Sequence, residues 1–287
     1  MTTVSTVIED SISPEGIRLT TFANKNPRMI HSEFMTHRVI SRNASSSRAI
    51  PVQKQIANIL ADPAEPSEWG SNQRGMQAGE DLTGWRLRLT KIAWHGAKHA
   101  TVIAARLAIR AGAHKQIANR MLEPWSHISS VVTATDYANW FALRDHDDAD
   151  PTIRELALAM KYALDGSTPK LLQPGEWHLP YITALEREQY GKHLNKDGTP
   201  FLARLSAARC ARVSFLTHGG RIPAHADDIR LWEQLVDSQP VHASPTEHQA
   251  TPDKKWTRDR WGKPQEHGNF RGWRQHRKMI PGEAVPG

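Results

Sequence analysis

The stretch from Leu82 to Arg110 sets the first limit on the fold. It carries no proline, and Trp85, Leu89, Ile92, Ala93, Val102 and Leu107 recur at helical spacing. A helix of that length reaches about 40 Å, the width of a small domain. It is not a membrane span, because Arg106 and Arg110 break its apolar half. It shows no coiled-coil heptads, and the chain holds no internal repeat. Around it the pattern changes period. "GIRLTTF" reads as a strand with Ile17, Leu19 and Thr21 on one face and Arg18 and Thr20 on the other, and "HISSVVTAT" is strand-like. Further helices are expected over "NPRMIHSEFMTHRVI", with Pro27 near its start, and over "HKQIANRMLEP", stopped at Pro124. "DYANWFALR", "PTIRELALAMKYAL" and "DDIRLWEQLV" read the same way. "NASSSRAIP" and the Pro/Gly-rich run from Ala61 to Asp81 read as loops. Strands this few and scattered exclude a doubly wound sheet. The expectation is an α/β (α+β) fold, a mixed sheet with long helices, in one domain over 1–287.

Hydrophobic residues make up 39% and charged residues 23% of the 287, which is ordinary for a packed domain. The opening "MTTVSTVIEDS" is not a secretory signal, and the single cysteine, Cys210, permits no internal disulfide and fits a reducing cytoplasm. The net charge is +7 and is unevenly placed. From Pro252 to Gly287 nine Lys/Arg face four acids, with Trp256, Trp261, Phe270 and Trp273 interleaved. Such a basic, aromatic extension suits nucleic acid, or equally a nucleotide pocket, since both need stacking and phosphate pairing.

The common dinucleotide and NTP loops are missing. His95 and His99 stand four apart on the long helix, but "HGAKH" lacks the intervening Glu of a metalloprotease, so no metal site is expected. Cys210, between Arg209 and Arg212, is either an activated nucleophile or a small buried residue; no general base stands nearby, which favours burial. "EFMTHRVISRNASSSRAIP" is more pointed. His37, Arg38, Arg42 and Arg48 stand among serines, a set that either cradles a phosphate or stays in water.

These residues resemble the signature of the flavin-dependent thymidylate synthases. "THRVISRNASSSRA" puts His37, Arg38, Ser41, Asn43, Ser46 and Arg48 in register with it. "NWFALRDHDDADPTIRELA" is similar to a second block of that family, through Asn139, Arg144, Ala149, Ile153 and Arg154, and Arg120 in "RMLEP" fits an upstream Arg. Two blocks that normally precede the signature follow it here, "SAARCARVSF" and "ASPTEHQAT", so the order looks circularly permuted. The resemblance leaves Ala61–Asp81, "GEWHLPY" and "NFRGWRQHRKMIPGE" unexplained.

What the resemblance implies is C5 alkylation, methylation or hydroxymethylation, of a pyrimidine deoxynucleotide such as dUMP, with dCMP the alternative. FAD is the cofactor, with methylenetetrahydrofolate as carbon source and NADPH as reductant, in a homotetramer whose sites lie between subunits. By position, His37, Arg38, Asn43, Asn139 and His248 would hold FAD. Glu33, Ser46, Ser47, Arg48 and Arg120 would hold the nucleotide, and Arg144 would face its base. Arg144 has a competing role as the ion-pair partner of Asp145 or Asp147. Departures from the family pattern are Thr36, Ala44 and Ala49, with Thr133 and Thr135 standing where Asn and Arg are expected. The tail, through Arg271, Arg274 and Arg277, is a candidate to replace the lost contacts. The rival of another class is a nucleic-acid-binding protein using the tail and the Arg/Ser loop.

Overall fold

The computed structural model describes residues 3–216 and 220–284; residues 285–287 of the expected tail lie outside them. β1 (Val4–Ile12) and β2 (Arg18–Pro27) form a hairpin. α1 (His31–Phe34), β3 (Ser41–Ala44), α2 (Val52–Ala61), α3 (Gly84–Arg110) and α4 (Lys115–Leu122) follow. Next come β4 (His127–Ala134), α5 (Ala138–Arg144), α6 (Pro151–Asp165), β5 (Lys170–Leu171), α7 (Ala184–Tyr190), α8 (Phe201–Arg212) and α9 (His225–Trp232). The chain closes with β6 (Ala250–Pro252), β7 (Lys255–Thr257), β8 (Arg260–Trp261) and β9 (Trp273–Gln275).

The main sheet has the order β3-β4-β2-β1-β5. All pairs are antiparallel except β1–β5, so the sheet is mixed, as expected. Both its faces are covered. Phe22 and Val132 point to one side, where α5 and α6 supply Trp140, Ile153, Leu156 and Met160. Leu19, Thr21, Val131 and Thr133 point to the other, against α8, the 244–252 segment and the tail. The two-residue period read in "GIRLTTF" therefore marks two buried faces of different chemistry.

The expected helix over Asn26–Ile40 is corrected. Asn26 and Pro27 end β2, paired with Ile128 and His127, and only His31–Phe34 completes an α-turn. The Thr36 hydroxyl then donates to the Glu33 carbonyl at 2.7 Å and the chain turns back. The start of "NASSSRAIP" is likewise a strand, β3, adding to the edge of β4. The sheet edge recruited it in spite of its polar side chains. The helices expected over 82–110, 136–144 and 151–164 are present to within a few residues, and the one expected over 227–236 starts two residues earlier, as α9 from His225 to Trp232.

The tail is structural. Phe270 and Trp273 are buried with Leu19, Leu172 and Ala250, and the Trp273 indole donates to the Ile17 carbonyl at 3.1 Å. Gly272 turns the chain into β9 at φ +72°, where a Cβ would meet Ile17 and Trp261 at 2.6 and 2.8 Å, so only glycine fits. Trp256 alone of the four tail aromatics is exposed, which removes most of the stacking platform that a nucleic-acid reading needs. Among the described residues no helix is long and apolar enough to cross a membrane.

Candidate functional site

Arg144, the last residue of α5, swings back over the turn after α1. Its Nη1 pairs with the Glu33 carboxylate, and its Nε donates to His37 Nε2 at 3.0 Å. The competing pairings with Asp145 and Asp147 do not form, because those carboxylates bind Lys161 and Arg154. His37 is buried edge-on against Trp140, with ring centroids 4.8 Å apart. Burial, reinforced by Arg144 and Arg42, lowers its pKa, so it is a neutral acceptor for the guanidinium. Two residues of one block thus fix an arginine more than 100 positions away.

Arg38, next to His37, faces the other way. It lines a hollow of about 620 Å³ with Arg42, Asn269, Gln275, Arg277 and Lys278, floored by Ser244 and Glu247. Four cations face one carboxylate there. That donor set suits a diphosphate, and so fits the anionic part of a flavin dinucleotide. The tail builds half of this wall. Arg277 pairs with Glu247 and Glu283, and Gln275 donates to the Glu247 carbonyl at 3.0 Å. Arg271 donates its backbone N–H to the Thr135 hydroxyl at 3.2 Å. Arg274 turns away to Glu266.

The serine-rich turn forms a separate group. Ser45 lines a second cavity, of about 490 Å³, opposite Arg212, Val213 and Ser214, with Lys25 and Lys54 also on its wall. Val213 sits there in the left-handed region at φ 57°, a strained position for a β-branched residue. Ser47 is buried and donates to Glu123 at 2.7 Å. Ser46 and Arg48 are exposed on a turn packed against α4, which carries the exposed Arg120. Asn43 is half-buried on β3, and Asn139 is exposed on α5. Glu33, His37 and Arg144 therefore converge, Arg38 lines the separate hollow, and Arg48 and Arg120 lie on two elements that pack together.

His248 is fully buried behind the sheet and ends a line of polar groups that the sequence did not announce. Ser11 meets His178 Nδ1 at 2.9 Å, and His178 Nε2 meets Thr21 at 2.7 Å. Thr21 meets Thr133 at 2.8 Å, and Thr133 meets His248 Nδ1 at 2.8 Å. His248 Nε2 has no partner among the described residues. His178 lies in "GEWHLPY", and its partners are far away in sequence, so no local pattern could have found it.

These imidazoles give a pH signature. Burial lowers His248 to about 3, His276 to about 4, and His178 well below its usual value. The unfolded chain takes up these protons near pH 6.5 and the folded one only far lower. Stability is therefore full above pH 6.5 and is lost as pH falls toward 4, by about 1.4 kcal/mol per pH unit for each histidine. Glu9, pushed up to about 7 by burial against its Arg187 ion pair, acts in the opposite sense between 4.5 and 7. The net expectation is a loss of roughly 3 kcal/mol per pH unit as pH falls from 6.5 to 4.5. Urea unfolding at pH 7.5, 6 and 5 measures it, and a flat profile would contradict neutral buried imidazoles.

Cys210 is buried, and burial pushes its thiol up, while Arg209 and Arg212 bind carboxylates instead. It is a core residue.

No protein-family model and no curated protein matches the chain. Among solved structures it is similar to a UMP/dUMP methylase PolB from Streptomyces cacaoi bound with 5-Br UMP. The TM-score is 0.47 at 16% identity, over 57% of this chain and 88% of that one. The same methylase bound with 5-Br dUMP gives a TM-score of 0.43 at 18% identity, over 51% and 66%.

Proposed function

We propose that this chain is a flavin-dependent enzyme that alkylates C5 of a pyrimidine deoxynucleoside monophosphate, with dUMP as the substrate we favour. Methylenetetrahydrofolate would be the carbon source and NADPH the reductant, in a cytoplasmic homotetramer. The observation that carries this reading is Arg144, held by neutral His37 and by Glu33 beside the cationic hollow of Arg38 and Arg42. A bound FAD would supply hydride transfer there. The protein's own task is then positional and electrostatic. Arg38, Arg42 and Arg277 hold the anionic groups of the cofactor, and Arg144 stabilises negative charge on the pyrimidine ring. The exposed Arg48 and Arg120, with Ser46 near them, are suited to the nucleotide phosphate.

The permuted order fits the packing. The turn carrying His248 packs on α8 and β3, and "CARVSF" closes the cavity under the serine-rich turn. Purified protein tests the proposal. A flavin absorbance, with tritium release from C5-labelled dUMP that needs methylenetetrahydrofolate, supports it. Release from dCMP instead would change the substrate, and absence of both signals would overturn the reading. Product mass separates methyl from hydroxymethyl.

The face that supports binding of a second copy is on α3. On α3, Trp85 (70% exposed), Leu89, Ile92, Gly96, Ala100, Ile103 and Leu107 form one exposed stripe. It is symmetric about Gly96: Trp85 mirrors Leu107, Leu89 mirrors Ile103, and Ile92 mirrors Ala100. An antiparallel two-fold pairing of α3 with itself would match each to its mirror residue, with Gly96 on the axis, where an added Cβ meets nothing within 4 Å. α3 packs on α4, so such a pairing brings a second copy toward Arg120. The helix has six cations and no acid, so association should strengthen with salt. Leu89→Asp is expected to lower the oligomeric state in sedimentation with little change in melting temperature. An unchanged assembly would exclude this face.

A further inference from the structure

The largest cavity described, of about 990 Å³, belongs neither to the Arg144 corner nor to the Arg38 hollow. Its walls come from 170–204, from α9 and the turn after it, and from the tail, including two of the three stretches that the resemblance leaves unexplained. Its centre is aromatic. His276 stacks on Trp232, with ring centroids 5.5 Å apart and planes 11° from parallel, and Trp177 meets the same imidazole edge-on at 5.6 Å. The Arg204 guanidinium lies over Trp232 at 5.4 Å.

The wall also carries six Lys/Arg and four carboxylates. Arg204 pairs with Asp197, Lys263 and Arg274 with Glu266, Arg187 with Glu9 and Lys278 with Glu283, and Lys170 has no ion-pair partner among the described residues. Two wall groups keep hydrogen-bonding capacity that no described residue fills, His276 Nδ1 and Arg204 Nε. Volume, the aromatic groups and the guanidinium and ammonium donors on the wall together describe what binds best: a flat ring system carrying an anion. The cavity is large enough for a mononucleotide.

We propose that this cavity is a second ligand site, for an aromatic anion of the nucleoside monophosphate class. It stands apart from the site built on Arg144 and does not depend on the function proposed for it. Arg204 and the rim lysines Lys170 and Lys263 hold the phosphate, while the half-buried Trp177, backed by the His276–Trp232 stack, receives the ring.

Titration of the full chain by calorimetry tests this, with UMP, uridine and inorganic phosphate as separate probes. UMP should bind in Arg144→Met as it does in the wild type at this cavity, whether or not the Arg144 site takes UMP as well. Lys170→Gln with Lys263→Gln, both on exposed side chains, should weaken binding at this cavity at least tenfold. Arg204→Gln should do the same, checked by an unchanged circular dichroism spectrum. Uridine and phosphate alone should each bind at least tenfold more weakly than UMP. The proposal is overturned if Arg144→Met abolishes all UMP binding, or if the lysine variant binds UMP as the wild type does. Equal binding of uridine and UMP would overturn the anionic requirement.

Discussion

Replacing Arg144 by methionine is expected to lower kcat/KM for C5 tritium release by about a hundredfold to a thousandfold. That is the usual effect of removing one preorganised donor from a site where charge develops. The side chain is pinned at both ends: Nε by a histidine too buried to protonate readily, and Nη1 by Glu33. Lysine cannot reproduce a planar fork that meets both partners, so Arg144→Lys should recover little of the lost rate. Folding should hardly notice the change to methionine, because Glu33 is 38% exposed and can be solvated once its partner goes. A melting temperature within a few degrees of wild type, alongside the rate loss, assigns the effect to chemistry. An unaffected rate would remove Arg144 from the site.

The largest stability effect is expected at Arg209. Its side chain is 1% exposed and ties three helices together. Nε donates to Asp228 at 2.9 Å, Nη1 and Nη2 reach the two oxygens of Glu186 at 2.9 and 2.6 Å, and Nη1 also meets the Tyr181 carbonyl at 2.8 Å. Burial alone would raise Glu186, yet the hydrogen bonds from Arg209 and Thr183 outweigh it and bring the carboxyl down to about 2. Arg209→Met keeps much of the volume but leaves Glu186 with weaker company and Asp228, itself fully buried, with Arg212 alone. A loss of about 3–5 kcal/mol follows, a large share of the 5–15 kcal/mol that holds a typical domain together. Chemical denaturation measures it, and a loss under about 1 kcal/mol would mean that the carboxylates find other partners or water. Arg209→Lys should fall between the two, since one ammonium cannot serve both acids.

How far the sequence could be read depended on whether a signal was local. The long helix, the two central strands and the helices around Trp140 and Ile153 carry their periodicity within a few turns, and the structure has them. β3 was hidden because an edge strand of Ser, Arg, Asn and Ala looks like a loop until β4 offers it hydrogen bonds. Glu33, His37 and Arg144 could be singled out by the residues around them, but their mutual contact could not, with more than 100 residues between Arg144 and each partner. The Ser11–His178–Thr21–Thr133–His248 line was illegible for the same reason, since each member alone is an ordinary buried polar residue. The tail's composition left nucleic acid and a nucleotide pocket equally open and did not tell that Phe270 and Trp273 complete the core.

That placement has a consequence for chemical modification. Gln275 and Arg277 look toward the hollow shared with Arg38, Arg274 and His276 look toward the large cavity, and Lys278 borders both. A single run of backbone is thus the partition between two chambers. Acetylating that one lysine would take a positive charge from each at the same moment, so occupancy on either side would respond to a mark written at one amine.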